Sequence, residues 1–346
     1  MDNSFFILSK QDIEISRFHI CTWDIEDDNS FIEFGIEFNF PRGDKVIDFK
    51  LVVPFVKDNN LTPVTCLLPN LISDTENSKF IFNDNIKEFS YLDSSKKSGG
   101  IITFETRNKL TLLPIVPELE DQVVTFSIKE PKTKENSIYT RFLIKTNYKT
   151  LSRIKKDIAK KSYIFDFKLN EKRNLPDNVY KIVKDDYHIC TVKSCFCLHV
   201  IPNSYNISFI DQAKLKNIRE LEVPPFKKYL SDELKNMKEG KYMILFCKEN
   251  DSDAYSFFTI VNKERIGTQQ IILAIGANIL CSLLFGFGTL RATNKDNSYI
   301  WRGLPIEFWA AIIILIVLMI FVCYPARKKL LKIWDLTVDV LSKIYL

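Results

Sequence analysis

The chain has 346 residues, with 48 Lys or Arg against 43 Asp or Glu and a formal net charge of +5. That length leaves room for two domains or more, and no low-complexity linker or internal repeat divides it. The GxxxxGK[ST] phosphate loop, the GxSxG elbow, HExxH and GxGxxG are all absent, which removes the common signatures of nucleotide hydrolysis, serine hydrolysis, zinc proteolysis and dinucleotide binding. No cofactor is expected, and the chain reads as a non-enzyme.

Residues 1–147 read as a β-sandwich-like domain. In FIEFGIEFNF, Ile32, Phe34, Ile36, Phe38 and Phe40 fall on one face, while Glu33, Glu37 and Asn39 fall on the other. That period of two marks a half-buried strand. Asp27 and Asp28, followed by Asn29, form a hairpin turn. PRGDK (Pro41 to Lys45) is a second turn, leading into VIDFKLVVPFV as a partner strand. SSKKSGG (Ser94 to Gly100) reads as a mobile loop. IITFET, LTLLPIV, QVVTFSIKE and SIYTRFLIK continue the series, and seven or more short strands over this length suggest a sandwich.

The composition changes between Arg141 and Arg173, where eleven Lys or Arg stand against three acids. Leu151, Ile154 and Ile158 recur at helical spacing, so Lys149, Arg153, Lys156 and Lys160 are expected as a basic stripe on the outer side of a helix. Tyr148, Tyr163, Phe165 and Phe167 lie in or beside it. Three readings stand open: an oligonucleotide site in which cations meet phosphates and aromatics stack on bases, with Lys149, Arg153, Lys156, Lys160 and Tyr163 as the ligand-binding residues; a surface drawn to anionic lipid; or a solvated helix face.

Residues 148–266 hold this basic helix and a second β-rich domain, or a continuation of the first with helical insertions. YIFDFKL, YKIVK, YHICTVK, SCFCLHVIP, KYMILFCKE and AYSFFTIVNK read as strands. Asp211 to Glu222 and Pro225 to Lys238 read as helices, the latter started by PPF and stopped by Gly240. Cys195, Cys197 and His199 alternate along one strand face and form a candidate zinc set, but zinc sites usually draw ligands from CxxC knuckles. The intervening Phe196, Leu198 and Val200 favour a strand buried on both faces, and the eight cysteines are read as free and mostly buried.

Ile271 to Leu290 runs for twenty residues without a charge, and Phe308 to Tyr324 for seventeen. Since about 20 helical residues cross a bilayer core, residues 267–324 are expected as a C-terminal two-helix transmembrane hairpin. Lys263, Arg265, Arg327, Lys328, Lys329 and Lys332 outside the pair outnumber Arg291, Lys295 and Arg302 between them. That bias predicts a multi-pass inner-membrane protein with both termini cytoplasmic. Gln270, Ala274, Ala277, Asn278, Cys281, Ser282 and Gly288 gather on one side of the first span. Gln270, Ala274, Asn278, Cys281 and Ser282 are then pore-lining residues if several copies assemble, or packing residues of a simple dimer or anchor. Residues 325–346 form an amphipathic C-terminal helix.

A β-rich domain with the Arg141 to Arg173 patch, followed by the Ile271 to Leu290 span and the tail from Ala326, is similar in architecture to the channel proteins of the bacterial Hailong antiviral system. The resemblance rests on no short motif. It implies a homo-oligomeric, ligand-gated channel effector of the lipid bilayer. Its DNA-oligomer-binding domain would receive an oligonucleotide signal, single-stranded DNA included, from a nucleotidyltransferase partner. The other open reading is a membrane-anchored adaptor whose β domain binds a protein partner.

Overall fold

The computed structural model describes residues 4–25, 29–56, 64–73, 75–82, 84–94, 98–131, 133, 137–146, 151–157, 160–230, 240–264, 268–293, 300–301, 304–305 and 309–313. Two large sheets dominate. In the first, of nine strands, the central order is Asn206–Ile210, Tyr255–Glu264, Lys160–Leu169, Ser4–Ser9, Val46–Val52, Val123–Lys129, Glu118–Glu120. In the second, of eleven, it is Leu215–Glu220, Tyr242–Asn250, Ser194–Pro202, Glu14–Ile25, Asn29–Asn39, Ser137–Thr146, Leu110–Leu112, Gly100–Phe104, Ile86–Tyr91. Both sheets draw strands from either side of residue 147. Residues 1–157 and 161–263 accordingly form one compact unit, and residues 158–160 and 264–346 a second.

The alternating patterns dictate the core of the first unit. Successive side chains leave a strand on opposite faces, so Ile32, Phe34, Ile36 and Phe38 meet Phe5, Phe49, Phe126 and Phe142 between the sheets. Phe5 meets Phe34 edge-on at 5.2 Å, and Phe49 stacks on Phe126 at 5.3 Å. Each such ring removed from water is worth about 1.5–3 kcal/mol.

The opposite face of the second sheet is also covered. The short helices Leu68–Ser73, Thr75–Phe82 and Val223–Tyr229 lie over it, and Leu71, Phe82, Phe226 and Tyr229 pack on Trp23, Tyr139 and Ile244. Glu33 and Glu37, expected on a polar outer face, are therefore buried. The first sheet has its own cover, the helix Asp177–Lys184, whose Val179 and Ile182 rest on Phe6, Leu8 and Val52.

Three local expectations are corrected. YKIVK lies in that Asp177–Lys184 helix rather than in a strand. Within Asp211 to Glu222, Leu215–Glu220 is an edge strand and not a helix, because it completes hydrogen bonding along Tyr242–Asn250. The basic helix is likewise a strand: Ser152–Lys156 pairs antiparallel with Lys160–Leu169, setting Ile154 opposite Tyr163 and Lys156 opposite Lys161. A spacing of four, as from Lys149 to Arg153 and from Lys156 to Lys160, keeps one face of a helix and of a strand alike, and pairing with Lys160–Leu169 decides for the strand.

The second unit contains the helix Thr268–Thr293. Among the described residues no helix is long and apolar enough to cross a membrane. This overturns the expected C-terminal transmembrane hairpin of residues 267–324 and the multi-pass inner-membrane placement built on it. Asn278, Ser282 and Thr289 are the polar residues within the Ile271 to Leu290 run of the first helix, and Gln269, Gln270, Arg291 and Thr293 flank that run. Of the second expected span only residues 309–313 are described, and the tail helix of residues 325–346 lies outside the described residues.

Candidate functional site

The outer face of the second sheet carries a cavity of about 630 Å³. Arg17 and His19 come from Glu14–Ile25, Phe196 and Leu198 from Ser194–Pro202, and Ile244, Phe246 and Lys248 from Tyr242–Asn250. The edge strand adds Lys216, Asn217 and Arg219, with a register shift between Leu215 and Asn217. Such a bulge places two residues opposite one and re-aims side chains, so adjacent Lys216 and Asn217 both line the cavity. Phe82, Asp84, Thr106 and Arg107 complete it.

Aromatic rings and cations alternate around this space. Phe196 and Phe246 lie nearly parallel, 6.0 Å apart with a 12° interplanar angle. Lys248 Nζ sits 5.0 Å from the Phe196 centroid and the Arg17 guanidinium 5.9 Å from it. Arg107 lies 3.9 Å over Phe104 and 5.0 Å from Phe82. Cations over ring faces are held by the ring quadrupole.

The charge balance is positive. Arg17 and Arg107 share Glu37, at 3.8 and 3.3 Å, and Arg107 Nε is 3.9 Å from Asp84. Lys216, Arg219 and Lys248 have no ion pair among the described residues. Burial lowers the Arg107 pKa, partly offset by Glu37. Its Nε and Nη2 are shielded from solvent without a hydrogen-bond acceptor, which costs about 1–3 kcal/mol per unmade bond.

Behind the cavity a buried polar chain begins at His19. Its Nδ1 meets the Tyr139 hydroxyl at 3.1 Å, and that hydroxyl accepts from Arg141 Nη1 at 3.0 Å. Arg141 Nε donates to Glu33 Oε2 at 2.6 Å, with Nη2 2.5 Å from the same oxygen. Glu33 also accepts from Trp23 Nε1 at 2.7 Å and the Tyr229 hydroxyl at 3.0 Å. Burial, then Arg141, Arg17 and Arg107, push the His19 pKa well below its ordinary value, so the imidazole is neutral. Burial opposes the Arg141 charge, yet Glu33, Tyr139 and Tyr229 hold its pKa well above normal. Gly35 faces His19 and Arg141 in register. A Cβ there would overlap the Tyr139 hydroxyl.

The site read from the sequence lies elsewhere. Arg153, Lys156 and Lys160 are exposed on the hairpin of the first sheet, and Lys149 lies outside the described residues. Tyr163 is buried and stacks on Tyr205 at 5.3 Å, so its ring is a core element and not an open platform. On the Thr268–Thr293 helix, Ala274, Asn278 and Ser282 are exposed and Cys281 is buried; Gln270 belongs to the same helix. The Ser282 hydroxyl donates to the Asn278 carbonyl at 2.8 Å.

Cys195, Cys197 and His199 do share one buried strand face. His199 Nδ1 lies 2.5 Å from the Thr22 hydroxyl and its ring packs on Phe165 at 4.2 Å. Burial lowers its pKa to about 3 and raises both thiols well above the usual range. Among the described residues no His, Cys, Asp and Glu group could hold a metal ion, and the seven described cysteines are free.

A further cleft of about 690 Å³ is lined by Leu113, Ile115, Phe126 and Ile128 with Asp93, Glu118 and Glu130 against Lys129. It lacks the cation excess of the first.

No protein-family model and no curated protein matches the chain. Among solved structures, "Capitella teleta AChBP in complex with lobeline" is similar over 76% of this chain and 87% of its own, at 10% identity and a TM-score of 0.11. A likeness at that level carries no argument about fold or ligand.

Proposed function

We propose that the chain is a binding protein, not an enzyme, whose β unit takes a nucleotide or the end of an oligonucleotide in the cavity on its second sheet. The observation that carries this reading is the convergence of Arg17, Arg107, Lys216, Arg219 and Lys248 around the stacked Phe196 and Phe246 in a space of about 630 Å³. Cavities of about 300–1,000 Å³ suit small ligands. Phosphates are drawn by cations without an internal partner, and bases stack on aromatic faces at about 1–3 kcal/mol each.

The channel half of the sequence-based reading is not carried forward, since it required the membrane hairpin. Its other half, an oligonucleotide signal made by a nucleotidyltransferase, remains compatible with this ligand chemistry. The exposed cations of the 152–161 hairpin are then auxiliary phosphate contacts for a longer strand. Isothermal titration of the full chain with nucleoside triphosphates and short single-stranded DNA tests the reading. Saturable binding, lost on Lys216→Glu with Arg219→Glu, supports it; its absence for every nucleotide and oligonucleotide rejects it.

A further inference from the structure

The strand Val123–Lys129 is paired on one side along its whole length and on the other over its first part only. Each of its residues faces one of Val46–Val52, whereas Glu118–Glu120 pairs with Val123, Val124 and Thr125 alone. Pro117, which has no N–H to give a ladder, precedes that short strand. Partners in an antiparallel ladder alternate between exchanging hydrogen bonds and not. At the two ends of the ladder with Val46–Val52, Val53 N donates to the Gln122 carbonyl at 2.7 Å and Glu130 N to the Lys45 carbonyl at 2.9 Å. The even-numbered residues therefore bond into the sheet, and the N–H and C=O groups of Ser127 and Lys129 point out of its edge. Among the described residues no backbone hydrogen bond reaches them.

Beside this open edge lies the cleft of about 690 Å³, whose lining shares no residue with the nucleotide cavity. Phe126 and Ile128 are buried while Ser127 and Lys129 are exposed. A strand added at the edge would follow the same alternation and turn every second side chain toward the apolar wall of Leu113 and Ile115. Val116 adds an apolar side chain to the cleft while 82% exposed. Asp93, Glu118 and Glu130 against Lys129 make the rim acidic. We propose that this edge binds an extended segment of another protein by strand addition, and that the segment alternates aliphatic side chains with Lys or Arg. Backbone hydrogen bonds to Ser127 and Lys129 supply affinity and the cleft selects the aliphatic positions. The acidic rim selects the cations. A second copy of the chain fits worse, because pairing two such edges antiparallel about Ile128 brings two acidic rims together, and like charges facing one another are costly.

The test is fluorescence anisotropy on the full chain with a labelled peptide of about six residues, a usual strand length, alternating lysine and valine. Its comparisons are the glutamate–valine counterpart and two forms of the lysine–valine peptide, each N-methylated on one of the two alternate sets of residues. The expected result is saturable binding of the lysine–valine peptide, at least about tenfold weaker for the glutamate peptide and for one methylated form but not the other. In the Glu118→Lys, Glu130→Lys variant, which alters exposed side chains only, the preference between lysine and glutamate peptides should reverse. No binding to wild type, equal binding of both methylated forms, or an unchanged preference in the variant overturns the proposal. So does a chain that sediments as a dimer dispersed by Lys129→Pro, since the edge would then belong to a second copy.

Discussion

Replacing Arg141 by Met is the most informative perturbation of the fold beneath the site. Arg141 and Glu33 are 1% and 0% exposed, so neither charge can be rehydrated in place. Arg141→Met strips the Glu33 carboxylate of its ionic partner and leaves it two neutral donors, Trp23 and the Tyr229 hydroxyl. Breaking a buried pair from one side costs about 3–5 kcal/mol, a large share of the roughly 5–15 kcal/mol that holds a domain together. At about 2–4 °C per kcal/mol for a unit of this size, the melting temperature should fall by about 6–20 °C. Thermal and urea denaturation of wild type, Arg141→Met, Glu33→Met and the double variant read the effect. The double variant should recover much of the loss, because replacing both charges by apolar groups is often close to neutral. Single variants melting within about 2 °C of wild type, or a double variant as unstable as the sum of the two, would refute the reasoning.

Gly35→Ala should destabilise by about 1–3 kcal/mol, since its Cβ displaces the Tyr139 hydroxyl; a wild-type urea midpoint would contradict this. His199 is neutral in the fold down to about pH 3, whereas the unfolded chain protonates it below about 6.5. The unfolded state then binds the extra proton, so stability falls as pH drops from about 6.5 toward 3, by at most about 1.4 kcal/mol per unit for this residue. His199→Gln should flatten that slope in denaturation curves taken across this window, and an unchanged slope would exclude the residue. Burial lifts Cys190 to about 12 and the Cys195 and Cys197 thiols well above normal. Iodoacetamide, which attacks thiolates, should therefore label these three only on unfolding, as mass spectrometry of native and denatured protein would show. Charge reversal at Lys155 and Lys156 should weaken single-stranded DNA binding without changing the affinity for a mononucleotide, as paired titrations would reveal.

The strands of the core were legible because their apolar residues repeat every second position, as in Ile32, Phe34, Ile36 and Phe38. What covers a strand's other face was not, because Glu33 and Glu37 carry the same pattern whether they meet water or Arg141, Arg17 and Arg107. Ile154 and Ile158, four residues apart in sequence, suit one face of a helix or of a strand, and pairing of Ser152–Lys156 with Lys160–Leu169 decides for the strand. The helix read over Asp211 to Glu222 fails for a similar reason, since Leu215–Glu220 gains its hydrogen bonds along Tyr242–Asn250. The cavity has no linear signature. Arg17, Phe82, Asp84, Arg107, Phe196, Lys216 and Lys248 come from segments far apart in the chain, which the sheet order and three short helices bring together. The one local trace was Phe196 and Leu198 alternating with cysteines, which indicated a strand with two apolar faces but not that one of them opens onto cations.

The proposed ligand is tested most directly by titrating a nucleoside triphosphate into wild type and into the Lys216→Glu, Arg219→Glu double variant at increasing salt. Binding to wild type should saturate at one site, weaken as salt rises, and drop at least about tenfold in the variant. A flat titration for wild type, or a variant that binds as tightly as wild type, would show that this cavity is not where a phosphorylated ligand is held.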